Sequence, residues 1–344
     1  MAKAEQRVLL RDVAKHAGVA ISTASNVFAG KADISISEQT RALVLAAAKE
    51  LGYQPKQRPV TPIETVGLVV RAQALPFSDS PFYAQILHGA EQTCTTRKVA
   101  LMYATVDERA SVLEQLPLMI QRKQVQALLL AGYFDPTFYE LVERTGLPFI
   151  LIDHMVKDLQ ADSVTGDDEE GGFLATRYLL EHGHRHPALI TGPVRHTSLL
   201  GRLNGYRRAL AEYGVPYDDS LVYRVDDTTL EEGYAAMQVL LDLPVPPTGV
   251  FCCNDHSAMG ALRALYDQGV PVPDGCSIIG YDDIKGAAHT HPPLTTIKID
   301  QELLGVQSVW LLLERIERPD MPPRQVRVGV SLVERGSVKT VVGQ

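Results

Sequence analysis

Short apolar runs alternate with longer amphipathic stretches from Val66 onward. Runs of this length predict buried strands, and apolar residues spaced three and four apart predict helices. The predicted strands are 66–70, 99–104, 127–132, 148–153, 187–192, 248–253 and 276–281. The predicted helices are 83–96, 109–122, 136–145, 169–182, 202–213, 231–242 and 256–268. Apolar strands joined by helical crossovers are typical of parallel sheets covered on both faces, so this region should form two doubly wound α/β subdomains.

Residues 1–55 carry a helical period and are predicted to form a separate all-α headpiece. Val13 and Ala14 give a first short helix its apolar face, and Gly18, which readily takes a positive φ, should end it. A second short helix should follow, with Ala24 and Val27 facing inward. Its outward side chains are Ile21, Ser22, Ser25 and Asn26. This is a helix-turn-helix pattern, whose second helix commonly reads the DNA major groove, although an ordinary helical hairpin would share it.

A third helix is predicted after Ser37, which stands at an N-cap position. Val44, Ala48 and Leu51 recur at helical spacing and should cover the first two helices. With this helix included, residues 10–53 resemble the DNA-binding headpiece of the lac repressor/galactose repressor family of transcription regulators. The matching residues are Asp12, Val13, Ala14, Ala17, Gly18, Val19, Ser22, Thr23, Ser25, Val27, Gly30, Ser37, Thr40, Arg41, Val44, Ala48, Leu51, Gly52, Tyr53 and Pro55.

The resemblance implies that the headpiece binds an operator in double-stranded DNA. It assigns DNA contacts to Ile21, Ser22, Thr23, Ser25 and Asn26, and to Lys56 and Arg58 in the linker. Relatives commonly have Arg at the position of Asn26. Arg pairs bidentately with guanine and Asn with adenine, so Asn26 should read adenine if it reaches a base. The alternative is a contact to phosphate.

Residues 56–65 form the predicted linker, and Pro59 and Pro62 forbid a regular helix through most of it. In the family this segment carries a hinge helix that inserts a leucine into the minor groove at the operator centre. Here Lys56 stands where relatives have Asn, and no intercalating leucine can be placed. The linker is therefore either a shortened hinge or a plain semi-rigid tether.

Charge is unevenly distributed along the chain. Residues 1–60 hold nine Lys and Arg against five Asp and Glu, a net charge of +4. The remaining residues hold 24 Lys and Arg against 36 Asp and Glu, a net charge of −12, and the two parts sum to the total of −8. A small basic module attached to an acidic body fits a DNA-binding head on a body that does not bind DNA.

Several broad classes of protein are disfavoured by the composition. No apolar run reaches the length of a membrane span, and the N-terminal residues lack the apolar core of a signal peptide. The four cysteines form no C-x-x-C pair and are expected to be reduced, buried thiols. We therefore expect a cytoplasmic protein without a membrane partner, a metal or another cofactor.

The body also resembles the effector-binding core of the same family, which is similar to periplasmic-binding-protein type 1 cores. The matching segments are 81–91, 182–193, 202–210, 253–265, 270–284 and 292–297. The resemblance implies that the chain crosses between the two halves near Gly166, Ile297 and Val326. It thus divides the core 66–344 into an N-subdomain, about 66–166 and 298–326, and a C-subdomain, about 167–297 and 327–340.

Polar residues directly follow several apolar runs, where ligands of open α/β sheets bind. Together with the family match, this predicts effector contacts from Phe82, Tyr83, Asp153, Arg202, Asn254 and Asp282. Core packing is an equal alternative for the two aromatic residues, and helix capping or solvation is preferred for Asp255 and Asp283. Thr228 stands where many relatives present an aromatic platform, which argues against a flat ring ligand and leaves a small polar or acidic one.

The histidines raise the possibility of catalysis or metal binding. His154 follows Asp153, and 182–186 reads HGHRH, but no H-E-x-x-H, G-x-S-x-G or P-loop motif is present. The expected function is therefore not enzymatic. We expect a homodimeric transcription regulator that acts as a repressor and binds a near-palindromic operator under the control of a small effector such as a sugar. The rival is a ligand-binding module whose DNA function has decayed, suggested by the interrupted hinge and by Ala20 in place of a capping serine.

Overall fold

The computed structural model describes residues 8–29, 36–53, 63–71, 81–106, 116–157 and 159–341. The chain divides into an N-terminal unit of helices and a larger α/β unit that begins at Ile63. This confirms the predicted fold class, an all-α headpiece followed by two α/β subdomains. No helix in the described ranges is long and apolar enough to cross a membrane.

The N-terminal unit consists of α1 (Leu10–His16), α2 (Ile21–Ala29) and α3 (Glu38–Leu51). Its small core is built from aliphatic side chains of all three helices, with Val13, Ala24 and Val44 fully buried. Gly18 has a φ of +65° between α1 and α2, as its position in the pattern predicted. Ser37 caps α3, because its hydroxyl accepts a hydrogen bond from the Thr40 amide at 3.1 Å.

The α/β unit contains two six-stranded sheets. Its strands are β1 (Thr65–Arg71), β2 (Ala100–Val106), β3 (Ala127–Ala131), β4 (Phe149–Ile152), β5 (Asp162–Gly166), β6 (Ala188–Thr191), β7 (Val222–Arg224), β8 (Gly249–Cys252), β9 (Ser277–Asp282), β10 (Thr295–Ile299), β11 (Gln325–Val328) and β12 (Val330–Val333). Its helices are α4 (Pro81–Thr96), α5 (Leu118–Gln121), α6 (Pro136–Thr145), α7 (Asp168–Glu181), α8 (Thr197–Glu212), α9 (Leu230–Leu241), α10 (Asp255–Asp267) and α11 (Gln301–Glu317).

The first sheet has the strand order β11-β5-β4-β3-β1-β2, and the second has the order β12-β10-β9-β8-β6-β7. Central strands are buried on both faces, as the continuous apolar runs predicted. In β3, Leu129 packs with Ile86 on one side of the sheet, while Leu128 and Leu130 pack with Phe138 on the other.

The chain passes between the sheets after Gly166, after Ile299 and at Gly329. All pairings are parallel except that of β12 with β10, which differs from the fully parallel sheets that were predicted. β11 runs in the same direction as its parallel neighbours and continues into the second sheet after a single residue. No crossover helix reverses the chain there, so β12 runs against β10.

The observed elements depart from the predicted ones in two ways. Of the helix predicted at 109–122, the described residues 116–122 contain α5, which begins after Pro117 because proline disfavours helical backbone at the residue before it. Residues 109–115 lie outside the described residues. β5, β7, β10, β11, β12 and helix α11 were not predicted from apolar runs. Two of the missed strands, β11 and β12, lie at the edges of their sheets and are largely not buried, so they need no continuous apolar run.

Candidate functional site

Helix α2 of the N-terminal unit presents a polar face of short side chains. Ser22 and Ser25 are exposed, Ile21 is 55% exposed, and Thr23 and Asn26 are half-buried. The opposite side of α2 packs into the core of the unit, so this face is the one available to a partner molecule. Two further predicted DNA contacts, Lys56 and Arg58, lie outside the described residues.

A cavity of about 450 Å³ lies at the carboxyl ends of strands from both sheets. Asp153 follows β4 of the first sheet, whereas Asn254 follows β8 and Asp282 ends β9 of the second. The structure brings all the predicted effector-contacting residues together around this cavity: Phe82, Tyr83, Asp153, Arg202, Asn254 and Asp282. Its volume is in the range of pockets that hold small molecules.

Arg202 of α8 lies against the cavity with only 4% of its surface exposed. Its Nε donates to Asp168 Oδ1 at 2.9 Å, and one terminal nitrogen donates to the Cys253 carbonyl. The other terminal nitrogen lies 3.8 Å from Asp282 Oδ1. The guanidinium also stacks on the Tyr281 ring, 3.7 Å from its centroid. Arg202 is therefore held in one orientation before any ligand binds.

Asp153 and Asp282 have backbone conformations that are rare for residues other than glycine, with φ of +60° and +108°. Such strain is often retained at binding sites, where the surrounding structure holds it. In each of these residues the Oδ1 atom is buried and has no hydrogen-bond partner in the described structure. These two oxygens are unsatisfied acceptors at the wall of the cavity.

Burial changes the protonation behaviour of both carboxyl groups. It raises the pKa of Asp153 to about 7, with repulsion from Asp168 adding to the rise and Arg202 and the hydrogen bond from Tyr83 opposing it. Burial likewise raises the pKa of Asp282 well above its usual range, with Arg202 opposing the rise. A ligand that donates hydrogen bonds to these oxygens would stabilise their ionised forms.

Asn254 lines the cavity, but its side chain is hydrogen-bonded to other residues of the protein. Its Oδ1 caps α10 by accepting from the Ser257 amide at 2.8 Å, and its Nδ2 donates to the Thr228 carbonyl at 3.0 Å. Asn254 therefore joins the start of α10 to the loop after β7. The predicted effector contact can involve only the remaining amide hydrogen or the second lone pair of the oxygen.

Both residues of the predicted aromatic pair line the cavity, and both pack against the main apolar core. Phe82 is 9% exposed and belongs to the main apolar core, with its ring edge-on to Tyr83 at a centroid distance of 5.2 Å. Tyr83 lowers the pKa of the Asp153 carboxyl, against the larger effect of burial. The Tyr83 hydroxyl lies so near the backbone that a Cβ at Gly132 would be 2.8 Å from it, so only glycine fits there without a shift.

Other side chains line the cavity without having been predicted: Arg71, Tyr133, His196, Ser198, Asp226, Asp227, Glu231 and His256. Tyr133 lies just beyond the end of β3, so the rule that located Asp153 would also have found it. Asp226 and Asp227 follow β7, a three-residue strand whose apolar run is too short to detect. His196 precedes α8 and carries no comparable signal.

Asp255 and Asp283 make contacts within the protein, rather than the helix capping or solvation that was preferred for them. Asp255 accepts from the Thr296 hydroxyl at 2.6 Å and from the Ile284 amide at 2.9 Å, which fixes the loop that follows Asp282. Asp283 is paired with Arg335. Both residues therefore make their contacts outside the cavity and stabilise segments next to its lining.

The histidines considered for catalysis are bonded into the fold. His154 is 3% exposed, and its Nδ1 accepts from Thr197; His184 bonds to Thr248 Oγ1 at 2.9 Å. Burial lowers the pKa of each to about 4. Within the described ranges, no group of three His, Cys, Asp or Glu residues is arranged to hold a metal ion.

Comparison with protein-family models matches both units of the chain. Residues 9–56 match "Bacterial regulatory proteins, lacI family", and residues 176–338 match "Periplasmic binding protein-like domain". Among solved structures, a complex of the transcriptional regulator CelR with cellobiose is 33% identical, with a TM-score of 0.72 over 96% of this chain and 100% of that one. A lac repressor dimer bound to operator and the anti-inducer ONPF is 27% identical, with a TM-score of 0.69 over 97% of this chain and 100% of that one.

Relatives of known function cover almost the whole chain. The HTH-type transcriptional repressor PurR of Pasteurella multocida is 32% identical over 337 residues, which are 96% of this chain and 98% of that protein. The ribose operon repressor of Haemophilus influenzae is 34% identical over 334 residues, again 96% of this chain and 98% of that protein. With a DNA-binding unit followed by an effector-binding unit, the chain belongs to the lacI family of bacterial regulatory proteins.

Proposed function

We propose that this protein is a transcriptional repressor whose affinity for an operator is controlled by a small, polyhydroxylated ligand. The ligand would bind in the cavity among Asp153, Arg202 and Asp282. One observation carries the proposal: two buried carboxyl oxygens at the cavity wall lack hydrogen-bond donors, and a fixed guanidinium lies beside one of them. Buried acceptors without partners are costly, so a donor-rich ligand would stabilise the folded protein.

The hydroxyl groups of a sugar suit the polar groups that line this cavity. Each sugar hydroxyl can donate to a carboxyl oxygen and accept from a guanidinium, whereas an apolar ligand would leave both unsatisfied. The proposal is supported by the relatives, which include ribose operon repressors, and by similar structures that contain cellobiose or ribose. A family regulator from Enterococcus faecium with bound ribose is 29% identical, with a TM-score of 0.70 over 81% of this chain and 100% of that one.

The ligand would act by favouring one arrangement of the two subdomains. The cavity is lined from both sheets, so a bound ligand joins them, and the three crossings of the chain can absorb a rotation between them. In a homodimer such a rotation would change the spacing of the two headpieces. A single headpiece offers too little surface for tight specific binding, so two would occupy the half-sites of a near-palindromic operator.

A repressor of this family binds the bacterial chromosome, so we assign the protein to the cytoplasm. A ligand-binding module without DNA function is the second candidate. It is favoured by Ala20, which directly precedes α2 and has no side-chain acceptor to cap that helix. Binding of genomic DNA fragments by the full chain, weakened by added salt, would exclude this candidate.

The ligand can be sought by thermal denaturation of the full chain in the presence of single sugars, sugar acids, nucleosides and amino acids. Ligands that bind only the folded state raise the Tm. We expect Arg202→Ala and Asp282→Asn to lose the shift that the wild type shows. Asp282→Asn matters because Arg202→Ala also leaves Asp168 without its cation, which can itself destabilise the fold.

Arg207→Ala is the matched control, since Arg207 lies on the same helix but is exposed and contacts Tyr217 rather than the cavity. It should keep the wild-type shift. Unchanged ligand affinity in both Arg202→Ala and Asp282→Asn would overturn the assignment of the cavity.

A further inference from the structure

Asp168 lies behind the cavity at the first position of α7 and is 7% exposed. Its Oδ1 accepts from Arg202 Nε at 2.9 Å and from the Tyr281 hydroxyl at 3.3 Å. Burial raises the pKa of Asp168, and Arg202 is the main group that opposes this rise. A hydrogen bond between a guanidinium and a carboxylate is charge-assisted, so the two residues form a buried ion pair.

This pairing leaves no part of Arg202 as an uncompensated cation. Nε is bonded to Asp168, one terminal nitrogen to the Cys253 carbonyl, and the other faces Asp282. The residues that line the cavity carry five carboxyl groups, those of Asp153, Asp226, Asp227, Asp282 and Glu231, against the two guanidinium groups of Arg71 and Arg202. Acidic side chains thus outnumber basic ones around the cavity, and burial raises the pKa of two of them, Asp153 and Asp282.

We propose that Asp168 determines the charge selectivity of the cavity: by neutralising Arg202 it makes the site accept uncharged polyols and exclude acidic ones, such as sugar acids and phosphorylated sugars. This inference rests on the proposed function, since it concerns the ligand of the same cavity. An incoming anion would find Arg202 already paired with Asp168. Its negative charge would also oppose ionisation of the carboxyl groups that line the cavity. An uncharged polyol adds no charge and supplies the missing donors to Asp153 and Asp282.

The substitution Asp168→Asn tests the effect of the negative charge of Asp168 alone. It keeps an oxygen that can accept from Arg202 and Tyr281 and changes the side-chain volume very little, but it removes the carboxylate. Arg202 would then be an unneutralised buried cation beside the cavity. Glu169→Gln is the matched control, because Glu169 is the next residue, is largely exposed and pairs with Arg208 on the surface.

The first test uses inorganic anions and needs no knowledge of the effector. Thermal denaturation of the full chain is followed in potassium sulfate or phosphate and in potassium chloride of equal ionic strength. These anions stabilise most proteins by exclusion from their surface, so wild type and Glu169→Gln should show the same modest rise in Tm. Asp168→Asn should show a larger, saturable rise. An Asp168→Asn response equal to that of Glu169→Gln would overturn the inference.

The second test uses wild type alone and holds even if Asp168→Asn folds poorly. Binding of ribose is compared with that of ribose 5-phosphate, and binding of glucose with that of glucuronate, by calorimetry. Any uncharged sugar that binds wild type should bind roughly tenfold or more tightly than its acidic counterpart, since like-charge contacts are costly. In Asp168→Asn this preference should shrink or reverse.

The outcomes separate the two proposals. Tighter binding of an acidic ligand than of its uncharged parent by wild type would overturn the inference about Asp168 and leave the cavity as the effector site. Binding of no polyol by wild type, together with a saturable anion response confined to Asp168→Asn, would contradict the proposed ligand class and support the charge assignment.

Discussion

The hydroxyl of Thr197 lies 3.1 Å from Nδ1 of His154 and joins the two subdomains at the edge of the cavity. His154 follows β4 of the first sheet, whereas Thr197 begins α8 of the second. The Thr197 amide also donates to Nδ1 at 3.3 Å, and its hydroxyl oxygen accepts from the Met155 amide at 2.9 Å. The Tyr133 ring packs edge-on against His154, at a centroid distance of 5.1 Å. This link favours the arrangement of subdomains that forms the cavity.

Removing the Thr197 hydroxyl should weaken ligand binding without altering the groups that hold the ligand. Thr197→Val loses the two bonds of the hydroxyl, to His154 and to the Met155 amide, and keeps the bond from the residue 197 amide to Nδ1. We expect a loss of about 1 kcal/mol, or about fivefold in affinity. Thr145→Val is the control, because Thr145 bonds only to Val142 and Leu147 at the end of α6. Calorimetric titration with the ligand found by thermal shift measures the effect. Equal affinities for Thr197→Val and the control would show that the link does not stabilise the binding arrangement.

The same link should make stability depend on pH through His154. Burial lowers the pKa of His154 to about 4 in the folded protein, so between about pH 6.5 and 4 the unfolded chain takes up the proton and the folded chain does not. The contribution of the neutral imidazole is therefore present above pH 6.5 and is lost as the pH falls towards 4. His154→Asn offers an acceptor to Thr197 that does not titrate.

Denaturant unfolding of both proteins from pH 7.5 to 5 measures this dependence. His196 lies beside His154 and its pKa is lowered to about 3 by burial, but it is present in both proteins. The stability of wild type relative to His154→Asn should fall by up to about 1.4 kcal/mol per pH unit below 6.5. Parallel curves for the two proteins would mean that His154 titrates normally.

The sequence predicted the strands with continuous apolar runs, and it missed those whose burial depends on distant partners. β5 begins with Asp162, a carboxylate that no apolar pattern would bury. Asp162 is 1% exposed because Arg315 of α11 donates two hydrogen bonds of 2.8 Å to it from 153 residues away in the chain. A strand of this kind has no local signal.

The residues of the candidate site were likewise predicted where the local sequence carries a signal and missed where their role depends on distant partners. The rule that ligands bind beyond strand ends located Asp153, Asn254 and Asp282, because each directly follows or ends an apolar run. It could not reveal that Asn254 bonds internally or that Asp168 pairs with Arg202. Those roles depend on side chains brought together from different helices and loops, so only the folded structure reveals them.

Asn26 is expected to read a base of the operator from the exposed face of α2. It is half-buried beside exposed Ser22 and Ser25, on a helix whose side chains are short enough to allow close approach to DNA. Asn matches adenine and Arg matches guanine in the major groove, so Asn26→Arg should change the preferred base at one symmetric pair of operator positions from A to G. Selection of sites from a random DNA pool with both proteins measures this change. A uniform loss of affinity, with unchanged base preferences, would instead mean that Asn26 contacts phosphate.

Ligand bound in the cavity is expected to control operator binding by the headpieces. The most direct test of this expectation is the Kd of the full chain for a selected operator, at fixed salt, with and without a saturating concentration of the ligand found by thermal shift. We predict a change of about fivefold or more in wild type and no change in Asp282→Asn. An operator Kd that is the same with and without saturating ligand in wild type would contradict it.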